Sequence, residues 1–138
     1  MKRLFLAIPI KTTDNDFMPL LDGLKRQLAH EKRINWVKPD HIHLTLKFIG
    51  DTHPDEIPKI IDEIGEMVKR HKSFTMDFNR TGIFGSRYAP RVLWLGMQNT
   101  PQELLDLEED TLTSFDKLGF IRDRQNFVPH ITLGRIKE

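Results

Sequence analysis

The tetrapeptide His-x-Thr-x occurs twice, as His43-Leu44-Thr45-Leu46 and as His130-Ile131-Thr132-Leu133, each time in a stretch that alternates polar and apolar residues. A period of two marks a strand with one face in a core. Leu44 and Leu46, like Ile131 and Leu133, then anchor the strand. His43 and Thr45, like His130 and Thr132, project together from the other face, about 6.5–7 Å apart along the strand. Each copy closes the same order of elements. Arg3–Ile8, a helix and His41–Ile49 read as strand–helix–strand, and Val92–Met97, a helix and Phe127–Ile136 read the same way. The two units share an order, a weak internal duplication visible in pattern more than in identity.

The remaining segments fill in this frame. Phe17, Leu20, Leu21, Leu24 and Leu28 recur at helical spacing, so Asp14 to about His30 is expected to be a helix with Pro19 near its first turn. Ile34–Val37 reads as a short strand before Pro39. Ile57, Ile60, Ile61, Ile64 and Val68 make Pro54–His71 an amphipathic helix, with Thr52 as the expected N-cap. Phe74, Met76 and Phe78 alternate as in a strand, and Thr81–Pro90, with its glycines and proline, reads as a loop. Thr100-Pro101-Gln102-Glu103 carries a cap, a proline and a capping-box acid, and Gly119 is placed to stop the helix that follows.

Composition excludes several classes. At 138 residues the chain is expected to be a single domain, 1–138, large enough to fold without staples. There are no cysteines, so disulfides, thiolate metal sites and a cysteine nucleophile are excluded. The apolar runs fall far short of the about 20 residues that span a bilayer, and Leu4–Ile8 is too short for a signal-peptide core, which leads to the expectation of a cytoplasmic protein with no membrane partner. The net charge is +1, so any anion site is local rather than a broad nucleic-acid grip. Arg80, Arg87 and Arg91 form one basic stretch, and Arg122, Arg124, Arg135 and Lys137 form another.

Two imidazoles and two hydroxyls held on strands suit acid–base chemistry on a phosphate. Histidine exchanges protons near neutral pH, so one ring can act as base while the other acts as acid. Threonine hydroxyls donate to anionic oxygens without adding charge. Two such pairs would bracket a tetrahedral phosphate, one histidine deprotonating water and the other protonating the leaving oxygen. Neither step needs a metal.

The paired tetrapeptides resemble the two signatures of the 2H phosphoesterase superfamily, and in particular its RNA 2′,3′-cyclic phosphodiesterase or 2′-5′ RNA ligase (LigT-like) branch. Arg3–Pro9, His43–Asp51, Pro90–Gly96 and Phe127–Arg135 all share in the likeness, which therefore runs the length of the chain. The resemblance implies a bilobal α+β fold, with two antiparallel sheets facing across a central cleft and helices outside. It implies metal-independent, cofactor-free hydrolysis of RNA 2′,3′-cyclic phosphate to a 2′-phosphomonoester, and the reverse joining of RNA ends through a 2′-5′ linkage. His43 would be the proton donor and His130 the proton acceptor, with Thr45, Thr132 and Arg135 on the phosphate. Substrates would be RNA with cyclic ends, transfer-RNA halves among them, or nucleoside 2′,3′-cyclic phosphates, and the protein a monomer. Members of the family run several tens of residues past the second signature, whereas this sequence stops at Glu138. Either the sequence is a truncated piece of a longer protein, or, if the protein ends here, the likeness implies a lobe short of edge strands and a cleft left open or completed by a second subunit.

Other residues have plainer readings beside functional ones. Phe84, Arg87 and Tyr88 combine aromatic and basic character and are candidate RNA contacts, or an ordinary loop. Lys47 shares the His43 face and could attract phosphate, or simply be an exposed lysine. Phe48 is expected in the core, Trp94 and Leu95 in a buried strand, and His41 on the same strand face as His43. Two rival functions remain open: a zinc hydrolase using His41, His43 and His130, and a non-catalytic binder of RNA ends or nucleotides on the same fold.

Overall fold

A computed structural model describes residues 1–12, 16–86, 89–122 and 127–137. The order along the chain is β1 (Lys2–Pro9), α1 (Phe17–Gln27), β2 (Ile34–Trp36), β3 (His43–Thr52), α2 (Ile57–Val68), β4 (Arg80–Gly85), β5 (Pro90–Gly96), α3 (Gln102–Lys117) and β6 (His130–Ile136), with single 3₁₀ turns at Pro39–His41 and Pro54–Glu56. The strand order is β1–β3–β6–β5–β4, and β2 lies alongside β6. Both strand–helix–strand units of the sequence thus end with their strands paired, β1 with β3 and β5 with β6. The β2–β6, β3–β6, β4–β5 and β5–β6 pairs are antiparallel. This is the expected α+β class. Among the described residues no helix is long and apolar enough to cross a membrane.

The chain divides into two compact units. One comprises Met1–Ala7, Thr45–Asp77 and Met97–Pro129, and the other Ile8–Leu44, Phe78–Gly96 and His130–Glu138. In the first, α2 and α3 pack together around Ile60, Met67, Leu104, Leu107 and Phe115, all buried. The end of α3 is built as the sequence predicts. Gly119 takes φ +88°, its N–H donates to the Asp116 carbonyl, and the Phe120 N–H reaches back to the Phe115 carbonyl at 2.9 Å. The two phenyl rings close the motif at 5.4 Å, nearly perpendicular. In the second unit, Phe17 and Leu21 of α1 are buried together with Ile42, Leu44, Leu93, Leu95, Ile131 and Leu133. Each such side chain contributes about 1.5–3 kcal/mol by leaving water.

Several boundaries differ from the sequence reading, each for a local reason. The strand expected from His41 begins at His43, because Pro39–His41 turns as a 3₁₀ helix with the Ile42 N–H donating to the Pro39 carbonyl. The last strand begins at His130 rather than Phe127, directly after Pro129, which has no N–H to give a ladder. Thr52 is not the cap of the second helix. Its hydroxyl donates back to the Gly50 carbonyl, and His53 Nδ1 accepts from the Asp55 N–H instead. Pro101, not Thr100, is the N-cap of α3, with no side-chain hydrogen bond there.

The largest correction concerns residues 74–90. Phe74, Met76 and Phe78 keep alternating burial but, among the described residues, lie outside any strand, while Arg80–Gly85 is β4, where a loop is expected from Thr81 to Pro90. Its ladder to β5 runs from Arg80↔Gly96 to Gly85↔Pro90. Gly82 is not a chain breaker here. A Cβ at this position would lie 2.2 Å from the Trp94 ring, so the glycine makes room for the indole. Gly65, inside α2, has nothing within 4 Å of the Cβ it lacks. Two Gly→Ala substitutions should therefore act in opposite senses. Gly82→Ala is expected to cost about 1–3 kcal/mol by overpacking, and Gly65→Ala to gain roughly 0.5–1 kcal/mol. Urea unfolding of both variants checks this, and a shared sign would contradict the packing described.

Candidate active site

β6 carries β5 on one side, and on the other the start of β3 and all of β2. On the β3 side Leu44 stands directly opposite Ile131, and neither is exposed at all. Opposed residues of an antiparallel pair point to the same face, and their neighbours point to the other. His43 therefore shares the open face with Thr132 and His130. In this register His43 is opposite Thr132 and diagonal to His130, a relation that sets Cα atoms about 7–8 Å apart. Thr45 follows two residues after His43 in the same strand. His43, Thr45, His130 and Thr132 are all half-buried.

Arg135 would fall on the wrong face by simple alternation, being an odd number of residues from His130. A bulge corrects this. On β5, Trp94 pairs with Thr132, while the next residue back, Leu93, pairs with Gly134, so β6 has one extra residue, Leu133. Beyond it Arg135 pairs with Val92, on the same side as Trp94 and Thr132. Arg135 is exposed there, and among the described residues it forms no ion pair.

Each imidazole has identifiable neighbours. His43 Nδ1 lies 2.7 Å from the His41 carbonyl oxygen. A carbonyl only accepts, so Nδ1 carries the proton of the neutral ring and Nε2 is the nitrogen that can exchange one. The His130 ring stands perpendicular to the Phe84 ring at 4.9 Å and at 62° to the Trp94 ring at 6.5 Å. Phe84 and Trp94 are themselves 5.4 Å apart, and the Arg80 guanidinium lies 5.9 Å from the indole. Through the β4–β5 register, Arg80, Gly82 and Phe84 oppose Gly96, Trp94 and Val92, and so join the face of His130.

Other expected site residues lie elsewhere. Lys47 is not an exposed lysine: it is 7% exposed, with Nζ 5.7 Å from the Phe115 ring of α3. Phe48, expected in the core, is 69% exposed and meets the Phe5 ring at 6.3 Å. The buried face of β3 inverts at these two residues, where α3 takes the odd-numbered side. On α3, burial pushes the Glu108 carboxyl up from its ordinary range and the Glu109 charge adds to this, while Arg122 and Lys47 pull it down. His41 has left the strand and sits exposed in the 3₁₀ turn. Among the described residues no three His, Asp or Glu side chains gather to hold a metal ion, so the zinc reading has no ligand set here. Arg87 and Tyr88 lie outside the described residues. Sequence reasoning treated Trp94 only as core, placed Arg80 in a basic stretch without linking it to His130, and missed Gly82. The signal that finds them is the β4–β5 register, which needed β4 to be recognised as a strand.

The model of the family described as LigT like Phosphoesterase matches residues 12–94, which include the first His-x-Thr pair. The chain belongs to that family. The RNA 2′,3′-cyclic phosphodiesterase of Methanothermobacter thermautotrophicus is 31% identical over 136 residues, 98% of this chain and 71% of the relative, so that match takes in the second pair as well. The protein of the same name from Thermotoga maritima is 36% identical over 102 residues, 74% of this chain and 54% of the relative. Among solved structures, a Thermus thermophilus protein superposes with a TM-score of 0.80 at 24% identity, covering 99% of this chain and 75% of that one, a likeness of fold. Escherichia coli LigT, complexed with 3′-AMP, gives 0.71 at 25% identity, covering 99% and 75%. The LigT-like chain thus spans between about half and three quarters of the length of these proteins.

The hydrogen bond to the His41 carbonyl makes a direct prediction. Nitrogen NMR of neutral His43 should show the tautomer protonated at Nδ1. A ring protonated mainly at Nε2 would contradict this geometry.

Proposed function

We propose that this LigT-like chain hydrolyses the 2′,3′-cyclic phosphate at RNA ends to a 2′-phosphomonoester, with His43 as proton donor and His130 as proton acceptor. The observation that carries the reading is the shared open face of His43, His130 and Thr132, set by the Leu44↔Ile131 register. The names of the curated relatives support the same substrate.

The chemistry balances with these groups alone. His130 takes a proton from water as the water oxygen bonds to phosphorus. The P–O3′ bond breaks, and His43 delivers a proton from Nε2 to O3′. One water is consumed, leaving a 2′-phosphate and a free 3′-hydroxyl, and exchange with solvent resets both rings. The hydroxyls of Thr45 and Thr132 donate to the non-bridging oxygens, and the Arg135 guanidinium balances their charge. Each positioned acid or base contributes typically about 10²–10⁴-fold. A 5′-hydroxyl in place of water yields a 2′-5′ phosphodiester, which is the ligation reaction. Transfer-RNA halves, other RNA with cyclic ends and nucleoside 2′,3′-cyclic phosphates all present this phosphate, and the chain acts on it as a monomer.

The test is turnover of a nucleoside 2′,3′-cyclic phosphate in the presence of a chelator, with the product identified. Wild type should release the 2′-phosphate, and His43→Ala or His130→Ala should each lower turnover at least about 10²-fold without unfolding the protein. A 3′-phosphate product would reverse the donor and acceptor. Binding of RNA ends without turnover by wild type would favour the non-catalytic binder.

A further inference from the structure

We propose that Phe84 is a positioning residue for His130, holding the imidazole in place through both of its protonation states; the proposal rests on the reading of His130 as the proton acceptor. The outer torsion of a histidine is soft and has two broad minima, so a ring that must meet a water and a phosphorus together needs a wall. His43 has a polar restraint in the His41 carbonyl. At His130 the contacts include two aromatic rings, Phe84 perpendicular at 4.9 Å and Trp94 at 6.5 Å.

The two kinds of restraint behave differently during turnover. A hydrogen bond to one ring nitrogen depends on which nitrogen carries a proton. A wall of carbon does not, and so it holds the ring equally well before and after the proton arrives. That is the requirement on a base that must gain a proton in one step and lose it afterwards.

The corner around His130 departs from ordinary packing. Gly82 gives up a side chain that would strike the Trp94 ring 2.2 Å away. Among the described residues the buried indole Nε1 of Trp94 has no hydrogen-bond partner, and an unpaired buried donor is normally unfavourable. Phe84 keeps 37% of its surface exposed, although a large phenyl gains most from full burial. Gly82 makes room for the Trp94 ring, and Trp94 and Phe84 both face the His130 ring; local departures of this kind gather at functional sites.

The experiment compares wild type with Phe84→Leu, Phe84→Met and Phe84→Tyr on a nucleoside 2′,3′-cyclic phosphate, with kcat, KM and thermal unfolding measured for each. Leu and Met remove the perpendicular ring, and they should lower kcat about 10- to 10²-fold, the scale of a misplaced catalytic group, with KM little changed. Tyr keeps the ring and should restore kcat. Either aliphatic variant that folds suffices. An unchanged kcat overturns the proposal, as does a raised KM with kcat intact, which would make Phe84 a substrate contact. His130→Ala separates the two layers. If it is inactive while Phe84→Leu is as fast as wild type, positioning alone fails. If His130→Ala is fully active, the assignment of the base fails and the proposal falls with it.

Discussion

Leu44 and Ile131 face each other across β3 and β6, and both are shut off from water. This apolar contact contains no functional group, yet it fixes the register of the two strands. A slip of one residue would turn His43 to the core and Leu44 to the open face. The set of side chains presented on one side of the sheet is therefore enforced by hydrophobic burial on the other. Two leucine-sized side chains supply about 3–6 kcal/mol to that choice at 1.5–3 kcal/mol each, while an imidazole forced inward without partners adds a further penalty.

Departures from a regular sheet complete the arrangement. The bulge at Leu133 brings Arg135 to the face of Thr132. The 3₁₀ turn at Pro39–His41 ends beside His43 and lends it a carbonyl. Gly82 allows Trp94 to lie under β4, where it meets Phe84, Arg80 and His130. Each is a local irregularity that a more uniform sequence would avoid, and each places a group on one side of the same sheet. Bulges near functional sites commonly re-aim side chains in this way.

The alternation around His43 and His130 was legible because it is a property of neighbouring residues and of a two-residue period. The stop of α3 was legible too, since Gly119 and the Phe115–Phe120 pair act within a few residues. What escaped reading depends on partners distant in sequence. β4 has weak alternation of its own and becomes a strand through β5. Lys47 and Phe48 exchange their expected environments because α3, some 60 residues away by the numbering, covers the odd face of β3 at that point. The faces of Arg135 and of Trp94 follow from a bulge and a register that only the assembled ladder defines. Resemblance to a known family supplied the roles proposed for His43 and His130, which alternation alone left interchangeable.

On this reading both imidazoles serve one phosphate, and a crystal structure of the chain with a nucleoside 2′-monophosphate probes that point without intermediaries. One phosphate is expected within hydrogen-bond reach of His43 Nε2 and of the His130 ring, with the Thr132 hydroxyl on a non-bridging oxygen. A nucleotide bound through its phosphate to only one of the two rings, or seated away from both, would refute it.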